Sequence, residues 1–379
     1  MEVLILGWYV LTATGSVQAL VAFGALAWLG SLFSPFFGVA GDRIGHRTLL
    51  CVTRGAYALL AALLAALTLA ERLAPWHVFA ISAIAGLMRP SDLVMRHALV
   101  AQTMRPETLL GALGISRTTS DTARIAGALA GTGGVALVGM GPAYVIVSAI
   151  YVGAFLLSLG VARSPRRAAE AHPLADLRQA FGYVWRKDEL LGALSIAFLV
   201  NLLAFPFFLG LLPYVAKEVY RIDQAGLGWL AAMFATGALA GSLLVGANRL
   251  PLRAARAMLA GSAAWFVTIL IFGQTTTMAA GLAFLFVAGF MQSYSLTPLA
   301  AVMLRGSAEE MRGRVMGMRI LAVWGLPLGL LAAGPIIAHL GYAATATLYA
   351  GLGLALTLAI GWRWRHALWS RSAAANARI

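Results

Sequence analysis

Two groups of charged residues lie inside apolar stretches, where an ionisable side chain is expensive. Arg117, Asp121 and Arg124 fall at about 0°, 40° and −20° on a helical wheel, so a helix there carries all three on one face. Arg89, Asp92 and Arg96 fall at about 0°, −60° and −20°, again on one side. A charge at the centre of a membrane helix costs on the order of 2.5–3.5 kcal/mol on insertion scales unless it is paired or wetted. Both faces are therefore expected to line a cavity. A carboxylate between arginines can stay a structural ion pair, or it can exchange its arginine for a proton or a substrate and act as a switch. Both readings stand for Asp121 and Asp92. The surplus arginine beside Asp121 suits an anionic or carbonyl-rich substrate.

Other residues carry weaker signals. Asn201, Gln292, Tyr294 and Trp324 sit in later apolar runs, where they either touch substrate or serve helix packing through interhelical hydrogen bonds. Glu2 falls near the bilayer midplane if the first helix is short, which makes it a candidate proton site or else a consequence of the chosen start. Arg54, close to one helix end, is expected to snorkel to the membrane surface.

The elements that hold these residues follow from composition. With 61% hydrophobic residues, 11% charged residues and a mean hydropathy of +0.84, the chain lies outside the range of soluble domains and reads as an all-α integral membrane protein. The net charge of +14 is spread through short loops between apolar runs, which argues topology and against nucleic acid. The single cysteine, Cys51, excludes an internal disulfide, and the six histidines lack metal-ligand spacing, so neither metal nor cofactor is expected. No zinc-protease or nucleophile-elbow motif occurs, and the two lysines, Lys187 and Lys217, supply no phosphate loop. The chain is not expected to be an enzyme.

A span needs about 20 apolar residues. After a short and apparently truncated helix 1 over residues 1–11, spans are expected near Val17–Phe37, Thr48–Ala70, Trp76–Met95, Leu109–Val138 and Pro142–Val161. Six more follow near Leu190–Tyr214, Gln224–Gly246, Ala257–Gly273, Met278–Leu304, Val315–Ala338 and Tyr342–Trp362. This divides the chain into an N-terminal bundle (1–162), a linker (163–189), a C-terminal bundle (190–362) and a basic tail (363–379). In the linker, Leu174, Leu177, Phe181, Val184 and Trp185 recur at helical spacing among charges, as in a helix lying on the membrane surface. Basic residues crowd one set of alternate loops, against Arg72, Lys217 and Arg221 on the other, so linker and C-terminus are expected in the cytoplasm. Small residues four apart, at Gly30, Ser34 and Gly38, at Ala123, Gly127 and Gly131, and at Gly237 and Gly241, prepare close helix packing.

Between the second and third spans runs Gly38-Val-Ala-Gly-Asp42-Arg43-Ile-Gly45-His-Arg47. Gly45 permits a tight reversal, and Asp42 can counter Arg43 and Arg47. This stretch resembles the G-x-L-x-D-R-x-G-R-R loop of the major facilitator superfamily, departing from it at Ala40 and His46. An ungapped second copy, Val245 to Arg253, lies about half a chain later, with Asn248 in place of Asp42. In helix 5, Gly127-Ala-Leu-Ala-Gly131 resembles the core of the family's antiporter signature, with Ala128 where that signature has proline. Arg312-Gly-Arg-Val-Met-Gly317 and the surface helix resemble the branch of enterobactin and macrolide exporters. The resemblance implies two six-helix bundles related by a pseudo-twofold axis and rocking about a central cavity, with Gly38, Asp42, Arg43, Gly45 and Arg47 as a conformational gate. It implies a monomer in the bacterial inner membrane that moves a small organic molecule, with proton-coupled efflux favoured and Asp121 or Asp92 as the coupling acid. Metabolite uptake and a non-transporting scaffold or sensor are the alternatives.

Overall fold

The computed structural model describes residues 2–33, 36–37, 44–103, 106–161, 173–246, 253–308 and 311–369, and the described side chains exclude those of residues 92–118, 121 and 173–177. Apolar runs long enough to satisfy their own backbone in lipid become helices. In the first half these are α1 (Glu2–Thr14), α2 (Val17–Leu26, continuing as a 3-10 turn Leu29–Phe33), α3 (His46–Leu69), α4 (Pro75–Thr103), α5 (Pro106–Val138) and α6 (Met140–Leu159). The linker contains α7 (Pro173–Trp185). In the second half come α8 (Asp188–Leu203), α9 (Gln224–Gly246), α10 (Ala254–Phe272) and α11 (Met278–Arg305). They are followed by α12 (Arg312–Leu321), joined through a 3-10 turn to α13 (Gly325–Leu340), then α14 (Tyr342–Arg363) and a short α15 (Arg365–Trp369). No strand occurs among the described residues. Among the described residues, counting α12–α13 as one span and α1 as a short one gives twelve, six on either side of α7.

Glycines set the closest helix pairs. A Cβ on Gly237 of α9 would overlap the Phe286 carbonyl of α11, and one on Gly289 would overlap the Phe234 carbonyl; at Gly241 it would lie 2.6 Å from the Phe290 oxygen. These backbones touch because nothing projects between them, which is how helices associate where lipid removes the hydrophobic drive. The buried hydroxyls of Ser262 and Ser295, 2.6 Å apart, tie α10 to α11 in the same way. Gly237→Leu is expected to cost at least about 1–3 kcal/mol of overpacking, lowering the melting temperature of detergent-solubilised protein. Gly351→Leu, with open space around it, leaves the temperature unchanged. Equal melting of the two variants would refute this packing.

Proline interrupts the spans at defined places. The seventh span, expected as one run to Tyr214, breaks after α8 at Ala204 and again at Gly210–Leu211, because Pro206 and Pro213 each start a new turn, and it continues as a wide turn over Val215–Val219. Among the described residues the two halves meet chiefly where α5 lies against α9, α2 against α13, and α1 against the turn Leu212–Tyr214. On the face opposite α7, Gly228 of α9 sits against Ala128 and Thr132 of α5, and Gly334 of α13 against Val21 of α2. There too, Lys217 Nζ donates to the Leu11 carbonyl across the seam, at 3.4 Å. Mid-span, the 3-10 turns Leu29–Phe33 and Ala322–Trp324 face each other, a backbone state common at hinges.

Candidate functional site

A cavity of about 310 Å³ lies within the first half, lined by residues of α1, α2, α3, α4 and α6 and by Ala27. It is at the small end of the usual range for organic ligands, about 300–1,000 Å³. Helical periodicity builds its walls. Ser82, Ala85, Gly86 and Arg89 repeat at the three- and four-residue spacing that puts one face of α4 on the cavity, and Arg54, Tyr57, Leu60 and Leu64 do the same for α3. Gly86 lets α4 press against the Leu26 carbonyl of α2, and Gly30 meets the Gly86 carbonyl in return.

The polar lining is organised around Glu2 and Arg89. The Tyr151 hydroxyl donates to Glu2 Oε2 at 2.6 Å, a short bond. The Tyr151 ring stacks on Tyr57, centroids 5.4 Å apart and planes 20° apart, and the Tyr57 hydroxyl donates to the Ala85 carbonyl at 3.0 Å. Arg89 lies at the centre of the 29-residue α4, about 21 Å from either end at 1.5 Å per residue. Its guanidinium stands 4.7 Å over the Trp28 ring, a cation–π contact that stabilises a charge away from water. Among the described residues Arg89 forms no ion pair. Phe23, Leu6, Leu64 and Ile81 supply the apolar remainder.

Of the charges expected from sequence, Arg89 lines this cavity, while the side chains of Asp92, Arg117 and Asp121 lie outside the described residues, on α4 and α5. Arg124, on α5, is exposed. Arg54 does not follow the expectation of a snorkelling side chain. It lines the cavity, because it shares a face of α3 with Tyr57 rather than pointing to the membrane surface. Asn201 is buried and donates to the Ala197 carbonyl of its own helix at 2.8 Å. Gln292 is buried on α11 with Oε1 unpartnered among the described residues, and Tyr294 stacks on Phe290 at 6.4 Å. Trp324 ends the 3-10 turn opposite the one that continues α2, with its indole nitrogen unpartnered among the described residues. Gly131 is buried and Gly127 half-buried on α5, and the close approach to Gly228 falls one residue beyond each of them.

Gly38, Asp42 and Arg43 of the expected gate, and the second copy of that loop between 247 and 252, lie outside the described residues. Gly45 has φ +101°, a conformation other residues adopt only with strain, and it starts α3. Arg47 donates through Nη2 to the Leu159 carbonyl at the end of α6, where cations are favoured. Tyr57 and Tyr151 were not singled out from the sequence. Only the shared face of Arg54 and Tyr57 could have pointed to one of them.

The fold and the composition agree with comparisons to known proteins. A family model described as Major Facilitator Superfamily matches residues 3–330. No curated protein sequence matches the chain. Among solved structures, a mutant of the nucleoside transporter NupG is similar with TM-score 0.73 and 14% identity, covering 94% of each chain. A D-xylose-proton symporter is similar with TM-score 0.70 and 12% identity, again covering 94% of each chain. The human organic anion transporter MFSD10 (TETRAN) is similar with TM-score 0.61 and 18% identity, covering 91% of this chain and 83% of its own. At these identities the likeness is one of fold, and together with the family match over most of the sequence it leads to one conclusion: the chain belongs to the major facilitator superfamily of membrane transporters.

Proposed function

We propose that this chain is a proton-coupled secondary transporter of a small organic molecule, working by alternating access between its two bundles. The observation that carries the reading is a cavity holding a carboxylate and arginines among the apolar helices of one bundle, beside glycine-lined seams along which the bundles meet. We take the halves to divide at 1–162 and 190–362, with the linker and the basic tail on the cytoplasmic side of the inner membrane and a single chain as the working unit.

Two directions of transport differ in their coupling. Efflux driven by inward protons, the direction implied by the likeness to exporters, needs substrate and proton to displace one another. Uptake needs them to load together, and the arginines beside Glu2 favour this second arrangement for an anionic substrate. Glu2, Asp92 and Asp121 are the coupling candidates. The test is proton movement in proteoliposomes under a pH gradient, challenged with organic anions, sugars, nucleosides and dyes, for the parent protein and for Glu2→Gln, Asp92→Asn and Asp121→Asn. Proton flux triggered by one compound class and lost in one variant is the expected result. Silence toward every class from folded protein would remove the proton-coupled reading and favour a scaffold or sensor.

A further inference from the structure

We infer that the second half carries a binding site for an anionic phospholipid where α14 ends and α15 begins. Arg363 and Arg365 hold the headgroup phosphate, and Trp362 and Trp369 border the glycerol and the upper acyl chains. The site is separate from the first-half cavity and does not depend on the transport reading.

Its depth is set by α14. The 22 residues of this helix rise about 33 Å at 1.5 Å per residue, slightly more than the roughly 30 Å of hydrocarbon. Trp362 and Arg363 close the span, so they fall at headgroup level on the face that carries α7. The start of α10 lies at the same level, because Gly361 of α14 faces Leu259, less than one turn after Arg256.

The short α15 is fastened to its neighbours. Leu368 is buried and packs with Trp364 on Gly192 of α8, where a Cβ would lie 3.3 Å from Leu368 Cδ1 and 3.4 Å from Trp364 Cε3. Arg256 of α10 donates through Nη2 to the Trp369 carbonyl at 3.0 Å, and its guanidinium stands 5.5 Å from the centroid of the Trp369 ring. What remains outward is aromatic and basic. Trp362 is 71% exposed and Trp369 50%, and Arg363 and Arg365 are exposed beside them. The Arg365 guanidinium lies 5.7 Å from the Trp362 ring centroid, and that of Arg363 5.9 Å from the Trp364 centroid. Neither arginine enters an ion pair among the described residues, although Asp188 and Glu189 open α8 about one turn before Gly192. A guanidinium resting on an indole keeps its N–H donors for a phosphate. Indoles favour the boundary between acyl chains and water, so exposed tryptophans beside unpaired arginines at this depth match a ligand that joins a phosphate to acyl chains. A lipid seated there bridges the end of α14 and the start of α10 and secures α15 against α8.

The experiment is lipid retention by the purified full chain. The protein is incubated in detergent with equal amounts of phosphatidylglycerol and phosphatidylcholine of the same acyl chains, and bound lipid is read by native mass spectrometry beside a melting curve. Preferential retention of phosphatidylglycerol is expected. Arg365→Gln is expected to lower the preference about fivefold, and Arg363→Gln with Arg365→Gln about 25-fold. Arg363→Lys with Arg365→Lys keeps the charge and is expected to keep most of the preference. Arg178→Gln with Arg186→Gln removes the same charge from exposed positions in and after α7, and is expected to leave the preference unchanged. Phosphatidylglycerol is expected to raise the melting temperature, and glycerol phosphate, the headgroup without its chains, to leave it unchanged. Equal retention of the two lipids by the parent protein would overturn the proposal. So would an undiminished preference in the Arg363 and Arg365 glutamine pair, an equal loss in the α7 pair, or stabilisation by glycerol phosphate that matches the lipid's.

Discussion

Replacing Gly228 by leucine is expected to reduce transport by about 5- to 150-fold while leaving the protein folded. Gly228 lies in the first turns of α9, where even a Cβ would overlap the Thr132 hydroxyl and come within 3.1 Å of the Ala128 carbonyl of α5. Thr132 cannot easily turn away. It is buried, and its hydroxyl already donates to that same carbonyl at 2.7 Å. The obstruction falls between bundles rather than inside one, so it acts chiefly on the state in which this seam is closed. Overpacking of about 1–3 kcal/mol converts to the stated factor in the balance of the two access states. Melting temperature and substrate flux, measured on the same preparation, check this. Unchanged flux would mean that the seam does not close during the cycle.

Arg89→Ala is expected to have the second large effect, a fall of about 10- to 150-fold in the transport efficiency for an organic anion, from loss of a charged hydrogen-bond partner worth about 1.5–3 kcal/mol. The side chain sits at the centre of α4 over Trp28, too deep to be held there for topology. Arg89→Lys keeps the charge but not the planar fork, and an intermediate efficiency is expected. A purely structural arginine would give a different pattern, with both variants lowering the melting temperature and any remaining folded protein transporting normally. Initial rates across a substrate series, set beside melting curves, separate the two.

Much of the fold was legible because lipid imposes a length and a hydrogen-bonding rule that a sequence can hardly disguise. The runs expected at Gln224–Gly246 and Tyr342–Trp362 became α9 and α14 almost residue for residue. The glycines at 237 and 241 do what their spacing promised. The interruption of the seventh span was less visible, since Pro206 and Pro213 sit in a run apolar enough to look continuous. At the cavity, Arg89 announced itself as a charge in an apolar stretch. Arg54 was misread because depth along a helix says nothing of which face the side chain takes. Tyr57 and Tyr151 were silent, because a tyrosine in a membrane span is ordinary until its partner is known, and the partner of Tyr151 lies 149 residues away.

The rocking of one bundle against the other is tested most directly by distances across the two faces of the protein. In a Cys51→Ser background, paired spin labels would be placed at the exposed Leu137 and Trp229, at the far ends of α5 and α9, and separately at the exposed Ile44 and Leu304 on the face of the linker. Distances would be measured in lipid nanodiscs at about pH 5.5 and about pH 7.5, with and without benzoate. Alternating access predicts that the two distances change in opposite senses between conditions, one face opening as the other closes. Distances that stay fixed on both faces, or that widen together, would contradict it.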